Sequence, residues 1–260
     1  MTTLTDTLRP ASTAQTPSVT ITQYSRRGIF AIWAAAAAPM GVLAWIVAPT
    51  VADGSGIESM AKPLLACLTI GMVWQFVLAM GLVVYEQRSM RWSRLKEALW
   101  LRRPVSPRTG RVGGKVWWIV VPLALGTGLR EFISIPAPLD RNLGEFLSSD
   151  FGQAMFDGAW GWFAVVVIMG VFNTVLGEEL LFRGVLLPRM HGAFGKRDWV
   201  ANGVLFAGYH MHMPWAMPGI LLDTFFLSYS TKRYRSAWIG IAVHSAQTIL
   251  ITLMVFAIVI

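Results

Sequence analysis

Apolar runs long enough to cross a bilayer alternate with short basic loops along most of this chain. The first begins after Arg26-Arg27 and runs from about Gly28 to Val51. At a rise of ~1.5 Å per residue, such a helix covers a hydrocarbon core of ~30 Å. Six more apolar stretches follow, at about 62–85, 116–135, 158–187, 199–213, 218–231 and 236–260. The pattern predicts an all-α, polytopic membrane helix bundle with about seven transmembrane spans. Arg130 and Glu131 interrupt the third stretch. The fifth and sixth are short, so they are expected to be half-buried against neighbours rather than bathed in lipid. Between spans two and three, Met90–Leu101 carries Arg91, Arg94, Lys96 and Glu97 among Trp92, Leu95, Leu99 and Trp100. That pattern predicts an amphipathic helix lying in the membrane surface.

The first 22 residues are rich in Ser and Thr, include Pro10 and Pro17, and offer little that could pack. They read as a disordered tail. They are not a signal peptide, in which a basic region is followed at once by a short apolar core. The chain thus divides into a disordered cytoplasmic tail (1–27), two N-terminal spans with the basic amphipathic segment (28–115), and a membrane core (116–260).

Composition agrees with the pattern. Of the 260 residues, 55% are hydrophobic and 14% charged, against roughly 25% charged in an ordinary soluble domain. Mean hydropathy is +0.54. A cytosolic enzyme, a DNA-binding repressor and a disordered protein are excluded. The lone Cys67 excludes an intrachain disulfide and a multi-cysteine metal site. Twelve Trp suit a chain with many membrane–water boundaries.

The net charge of +8 would suggest nucleic acid until the charges are located. With the tail inside and seven spans, all but three of the 22 Lys and Arg fall on the tail's side. The exceptions are Lys62, Arg130 and Arg141. The opposite loop, 136–157, carries Asp140, Glu145, Asp150 and Asp157. This is the positive-inside asymmetry. It explains the charge through topology and anionic lipid, so no nucleic-acid partner is expected. The predicted location is the plasma membrane, multi-pass, with a cytoplasmic N-terminus.

Ionisable residues within spans carry the chemical information, since each costs about 2.5–3.5 kcal/mol at mid-bilayer. They are Glu178, Glu179 and Arg183 in span four, His210 and His212 in span five, Asp223 in span six and His244 in span seven. Glu179 and Arg183 are four apart and share a helix face, where they can pair. Glu178 is rotated about 100° from Glu179 and has no local partner. Two adjacent carboxylates in a low-dielectric site, only one of them paired, are suited to general-base chemistry. Glu178, His210 and His244 all lie roughly 12–17 Å from the cytoplasmic boundary by helical rise, which suggests one convergent site. Phe206 shares a face with His210 and can brace its ring. His212 points elsewhere on an α-helix and reads as an interfacial histidine. Asp223 reads as the partner of a basic residue or as a structural polar contact, the second reading being favoured.

Gly177-Glu178-Glu179-Leu180-Leu181-Phe182-Arg183-Gly184 resembles the EExxxR motif of the CPBP intramembrane proteases, which include the type II CAAX prenyl endopeptidases and the bacterial Abi proteins. Phe206-Ala207-Gly208-Tyr209-His210 resembles their FxxxH motif, and His244 falls where the family has its final His. The resemblance covers about residues 160–250. It implies a membrane core opening to the cytoplasm and an intramembrane endopeptidase acting on a membrane-associated peptide or protein. It also implies that Glu178 activates a water with help from His210, that Glu179 and Arg183 form the supporting pair, and that His244 helps to stabilise the oxyanion. Both metal-dependent and metal-free mechanisms are argued for the family. One Glu and two His could ligate a divalent metal such as zinc, although without the HExxH spacing. Where members often have Asn four residues after each His, this chain has Pro214 and Thr248; Gln247 shares the His244 face and could supply the amide. The alternative is a catalytically inactive CPBP-like membrane protein acting in immunity or partner binding.

Overall fold

The computed structural model describes residues 19, 21–54, 56–133, 135–138 and 141–260. The rest of the Ser/Thr-rich tail, and Asp140 of the acidic loop, lie outside the described residues. The protein is an all-α bundle. Among the described residues, the extended backbone pairs only in one isolated bridge, between Val105 and Val112.

Four helices are long and apolar enough to cross a membrane: Arg26–Val51 (α1), Ile57–Gln87 (α2), Trp160–Arg189 (α7) and Ala237–Val259 (α10). Between α2 and α7 lie Trp92–Ala98 (α3), Val120–Thr127 (α4), Leu143–Ser148 (α5) and Asp150–Phe156 (α6). Asp198–Tyr209 (α8) and Met217–Thr224 (α9) separate α7 from α10. The third, fifth and sixth predicted spans are therefore shorter pieces: α4 is flanked by 3₁₀ turns at Gly114–Ile119 and Gly128–Ile133. α9 continues through a wide π turn, Phe225–Tyr229, into Ser230–Tyr234.

Helix α2 shows how the bundle assembles. Met60, Cys67, Gly71, Gln75, Ala79 and Val83 are buried at spacings of mostly four residues, one stripe of the helix. Ile70, Trp74 and Val77, off that stripe, are exposed. Ile249, Leu250, Leu253 and Met254 of α10 are exposed in the same way. In a water-soluble protein such patches would be a liability; around a membrane bundle they are the lipid-facing surface. Small residues bring the inner faces together. At Gly177 of α7 an added Cβ would lie 3.0 Å from the Met72 carbonyl oxygen of α2, so only Gly permits that approach.

The basic ends of the helices meet at one face. Arg189 is fully buried there. Its Nε lies 2.6 Å from Glu86 Oε2. Its Nη1 donates to the carbonyls of Val185 (2.9 Å), Ala98 (3.2 Å) and Gly184 (3.3 Å). The segment before α1 docks on the same place. Tyr24 N–H donates to the Arg189 carbonyl at 2.9 Å, Thr22 N–H to Glu86 at 2.9 Å, and Gln23 bridges the Pro188 carbonyl and Gly192 N–H.

The amphipathic helix differs from expectation. It spans Trp92–Ala98, and its apolar face (Leu95, Ala98 and then Leu99) is buried in the protein core, not in lipid. The reason lies in its neighbour: Gly184 of α7 presents bare backbone, and Leu99 fills the space over it. At the opposite end, the 136–157 loop forms α5 and α6, capped by the Asn142 and Ser149 side chains. Phe146, Leu147, Met155 and Phe156 pack there against Val166, Val255 and Val259.

Arg189→Ala is expected to cost about 3–5 kcal/mol by leaving Glu86 buried without its cation. The check is the melting temperature in detergent, together with tryptic cleavage after Arg26-Arg27. The melting temperature should fall and cleavage should quicken. An unchanged melting temperature would mean that the Arg189–Glu86 pair does not hold this face together.

Candidate active site

The chemistry-bearing residues of α7 sit where the helix is not regular. Phe172–Gly177 and Leu180–Leu186 are π turns on either side of Glu178 and Glu179. In a π turn the backbone bonds run from i to i+5, so residues five apart overlie one another, and such bulges often mark functional sites. Here the geometry stacks Asn173 beneath Glu178. With its Nδ2 turned toward the carboxylate, Asn173 lies 3.0 Å from both Glu178 oxygens. Glu178 therefore has a local partner, contrary to the reading from α-helical spacing, though the partner is a neutral amide rather than a cation.

The second carboxylate is placed differently. Glu179 Oε1 lies 3.1 Å from Arg183 Nη1, and both side chains are fully buried. His244 Nδ1 reaches the same Oε1 at 3.1 Å. Arg183 also stacks 3.9 Å above the Phe206 ring, so its charge has a carboxylate on one side and a π face on another. Gly240 of α10 makes room for this group. A Cβ there would sit 2.8 Å from Thr231 Oγ1 and 3.3 Å from Arg183 Cγ.

His210 completes the cluster at the end of α8. Its Nδ1 is 2.8 Å from the Phe206 carbonyl oxygen. A carbonyl can only accept, so Nδ1 carries the proton and Nε2 is the free nitrogen. That Nε2 faces Glu178 Oε1 at 3.7 Å. Phe206 meets His210 edge to face at 4.8 Å and His244 at 6.1 Å. The five predicted site residues, Glu178, Glu179, Arg183, His210 and His244, are thus brought together around one phenyl ring, from α7, α8 and α10.

Two expectations are corrected. His212 is not interfacial: it is buried and stacks on His210 with centroids 5.4 Å apart and planes 27° apart. The α-helix ends at Tyr209 and tightens into a 3₁₀ turn over His210–His212, so α-helical face arithmetic does not extend to it. His212 also lines a cavity of about 140 Å³, almost wholly apolar, between α2, α7, α10 and the α5–α6 end. Asp223 does pair with a cation. Arg130 comes down from the interrupted third stretch to within 3.5 Å of its Oδ2. The same guanidinium donates to Gln247 Oε1 at 3.0 Å.

Sequence reasoning missed three neutral residues. Asn173 was hidden by the π turn. Gln75 of α2 is fully buried and hydrogen-bonds the Tyr209 hydroxyl beside His210. Asn202 donates to the Phe182 carbonyl at 2.8 Å and accepts from Ser228, tying the second π turn to α8 and the segment after α9. A search for uncharged amides in apolar spans would have found all three.

The metal expectation can be tested on the donor set. Among the described residues, no three His, Cys, Asp or Glu side chains are grouped to hold one ion. His244 and His210 engage only Nδ1, with Glu179 and the Phe206 carbonyl, which leaves Nε2 of each for another partner. As placed among the described residues, these side chains do not group as a zinc site.

A carboxylate–histidine cluster thus lies among helices long and apolar enough to cross a membrane. Residues 160–258 match the family model described as type II CAAX prenyl endopeptidase Rce1-like. All five clustered residues fall inside that segment, so the similarity to this family lies where the site is. Neither a curated protein nor a solved structure matches the chain.

Proposed function

We propose that the protein is an intramembrane endopeptidase that hydrolyses a peptide bond of a membrane-associated substrate, with Glu178 as the general base. The observation that carries this reading is the unequal treatment of two adjacent carboxylates. Glu179 is committed to Arg183 and His244. Glu178 has only the Asn173 amide and faces the unprotonated nitrogen of His210. A carboxylate held by a neutral amide keeps acceptor capacity for a proton, which one locked to an arginine does not.

In this mechanism a water held between Glu178 and His210 Nε2 loses a proton to Glu178. Its oxygen attacks the scissile carbonyl carbon, and the carbonyl oxygen takes the negative charge. His244, with its Nδ1 against Glu179, helps to stabilise that oxyanion. Collapse of the intermediate breaks the C–N bond, and Glu178 returns its proton to the departing amine. Asn173 and Arg183 hold the two carboxylates in orientation and touch no reacting atom. The distribution of basic residues supports a plasma-membrane protein with its basic face in the cytoplasm, so that the substrate is cut toward the inner leaflet. Similarity to the type II CAAX prenyl endopeptidase model supports a membrane-associated peptide as substrate class.

Glu178→Gln is expected to abolish cleavage, by at least about a hundredfold on the usual scale for a lost acid–base group. Gln keeps the shape but cannot take a proton from water. The check is turnover in proteoliposomes of a fluorogenic peptide that the parent cleaves. Cleavage by the variant at the parent's rate would remove Glu178 from the role of base and favour a partner-binding protein.

For orientation, a cysteine placed at exposed Ser148 in a Cys67→Ala background is expected to react with a membrane-impermeant maleimide on intact cells. Labelling only after lysis would put α5 inside and reverse the proposed topology.

A further inference from the structure

A recess of about 500 Å³ opens at the basic end of the bundle, where α7 ends, α8 begins and Ser230–Tyr234 ends. Lys196, Lys232, Arg233 and Arg235 line it, against a single carboxylate, Asp198. That carboxylate is already used. It is buried, accepts its own helix's Trp199 N–H at 2.6 Å, pairs with Lys232 Nζ, and lies 3.3 Å from His191 Nδ1. Lys196, Arg233 and Arg235 are exposed and have no carboxylate within ion-pair distance among the described residues.

The wall of the recess is aromatic. Trp199 packs between Tyr229 and Phe225, with centroids 5.1 and 5.3 Å away. Phe225 and Tyr229 are 55% and 43% exposed, on a bundle whose exposed apolar surface meets lipid. The recess therefore has cations at its mouth and a lipid-facing aromatic flank one helical turn deeper. It lies at the level where helices leave the membrane, where Trp and Tyr favour the interface. A phosphate there would meet Lys196, Arg233 and Arg235, while chains attached to it could run down Tyr229 and Phe225. Basic pockets between helices at this level suit anionic headgroups.

We propose that this recess is a binding site for an anionic phospholipid, with the headgroup phosphate held by Lys196, Arg233 and Arg235 and the acyl chains lying along Trp199, Tyr229 and Phe225. The site lies at the end of α7, beyond Pro188, and uses none of the clustered carboxylates or histidines. It stands whether or not the protein is a protease.

The test is the melting temperature of the full-length protein in a neutral detergent, titrated with phosphatidylglycerol, phosphatidylcholine or inorganic phosphate. Phosphatidylglycerol is expected to raise it saturably; the other two are not. The Lys196→Gln/Arg233→Gln pair should raise the half-saturating lipid concentration by about fivefold for each charge removed. The Arg91→Gln/Arg108→Gln pair, with the same loss of charge elsewhere on that face, should leave it unchanged. If the first pair does not purify, Arg233→Gln alone carries the comparison. An equal effect of phosphatidylcholine, a full effect of inorganic phosphate, or equal weakening by both charge pairs would each overturn the proposal.

Discussion

The ion pair between Glu179 and Arg183 is the interaction around which the rest of the site is arranged. An isolated charge is costly inside a membrane protein, and a pair repays its desolvation only with good geometry and further partners. Neighbouring helices are shaped around this pair. Gly240 of α10 stands where a side chain would strike the pair. Phe206 of α8 lays its ring under the guanidinium. His244 adds a second donor to the carboxylate. With one carboxylate fixed in this way, its neighbour Glu178 is left to a neutral amide and the face of a histidine. The proposed catalytic base is thus defined as much by what Glu179 occupies as by its own contacts.

The segment matched by the family model does not make this site alone. Gln75 of α2 fixes the Tyr209 hydroxyl next to His210, and Gly177 lets α7 approach the α2 backbone directly. Arg130 reaches Asp223 and Gln247, one helical turn from His244. Arg189 joins the end of α7 to α2, α3 and the segment before α1. The N-terminal helices therefore act as a frame. They hold the π-turned helix in place, and α2 supplies one of the buried amides, Gln75.

Much of this was legible in the residues. The apolar runs marked the membrane bundle. The rule that ionisable groups in spans need a reason singled out Glu178, Glu179, Arg183, His210 and His244, and the structure gathers those five. Equal depth along straight helices was sufficient to predict their meeting, because 3₁₀ and π turns this short shift depth by only a few ångström. Direction around the helix was not recoverable in the same way. The π turn at Phe172–Gly177 moved Asn173 under Glu178, and the 3₁₀ turn at His210 folded His212 onto its neighbour. A 3.6-residue period predicts neither. The less favoured reading of Asp223 held, and its partner was not foreseen: Arg130 is 93 positions away in sequence, and only the fold brings that interrupted stretch to it. The helix after Met90 was placed in lipid because its pattern shows one apolar face. Amphipathicity reports that a face is buried, not what buries it.

The central claim is that Glu178 and Glu179 do different work, the second holding the structure and the first left available for chemistry. The most direct measurement is the melting temperature of Glu178→Gln and Glu179→Gln side by side in the same detergent. Glu179→Gln should leave Arg183 buried without its counter-charge, at a cost of about 3–5 kcal/mol, and lower the midpoint by roughly 6 °C or more. Glu178→Gln should melt at the parent's temperature or slightly above, since it removes a buried carboxylate that has no cation of its own. Equal losses in the two variants, or a larger loss at Glu178, would contradict the division of roles on which this account rests.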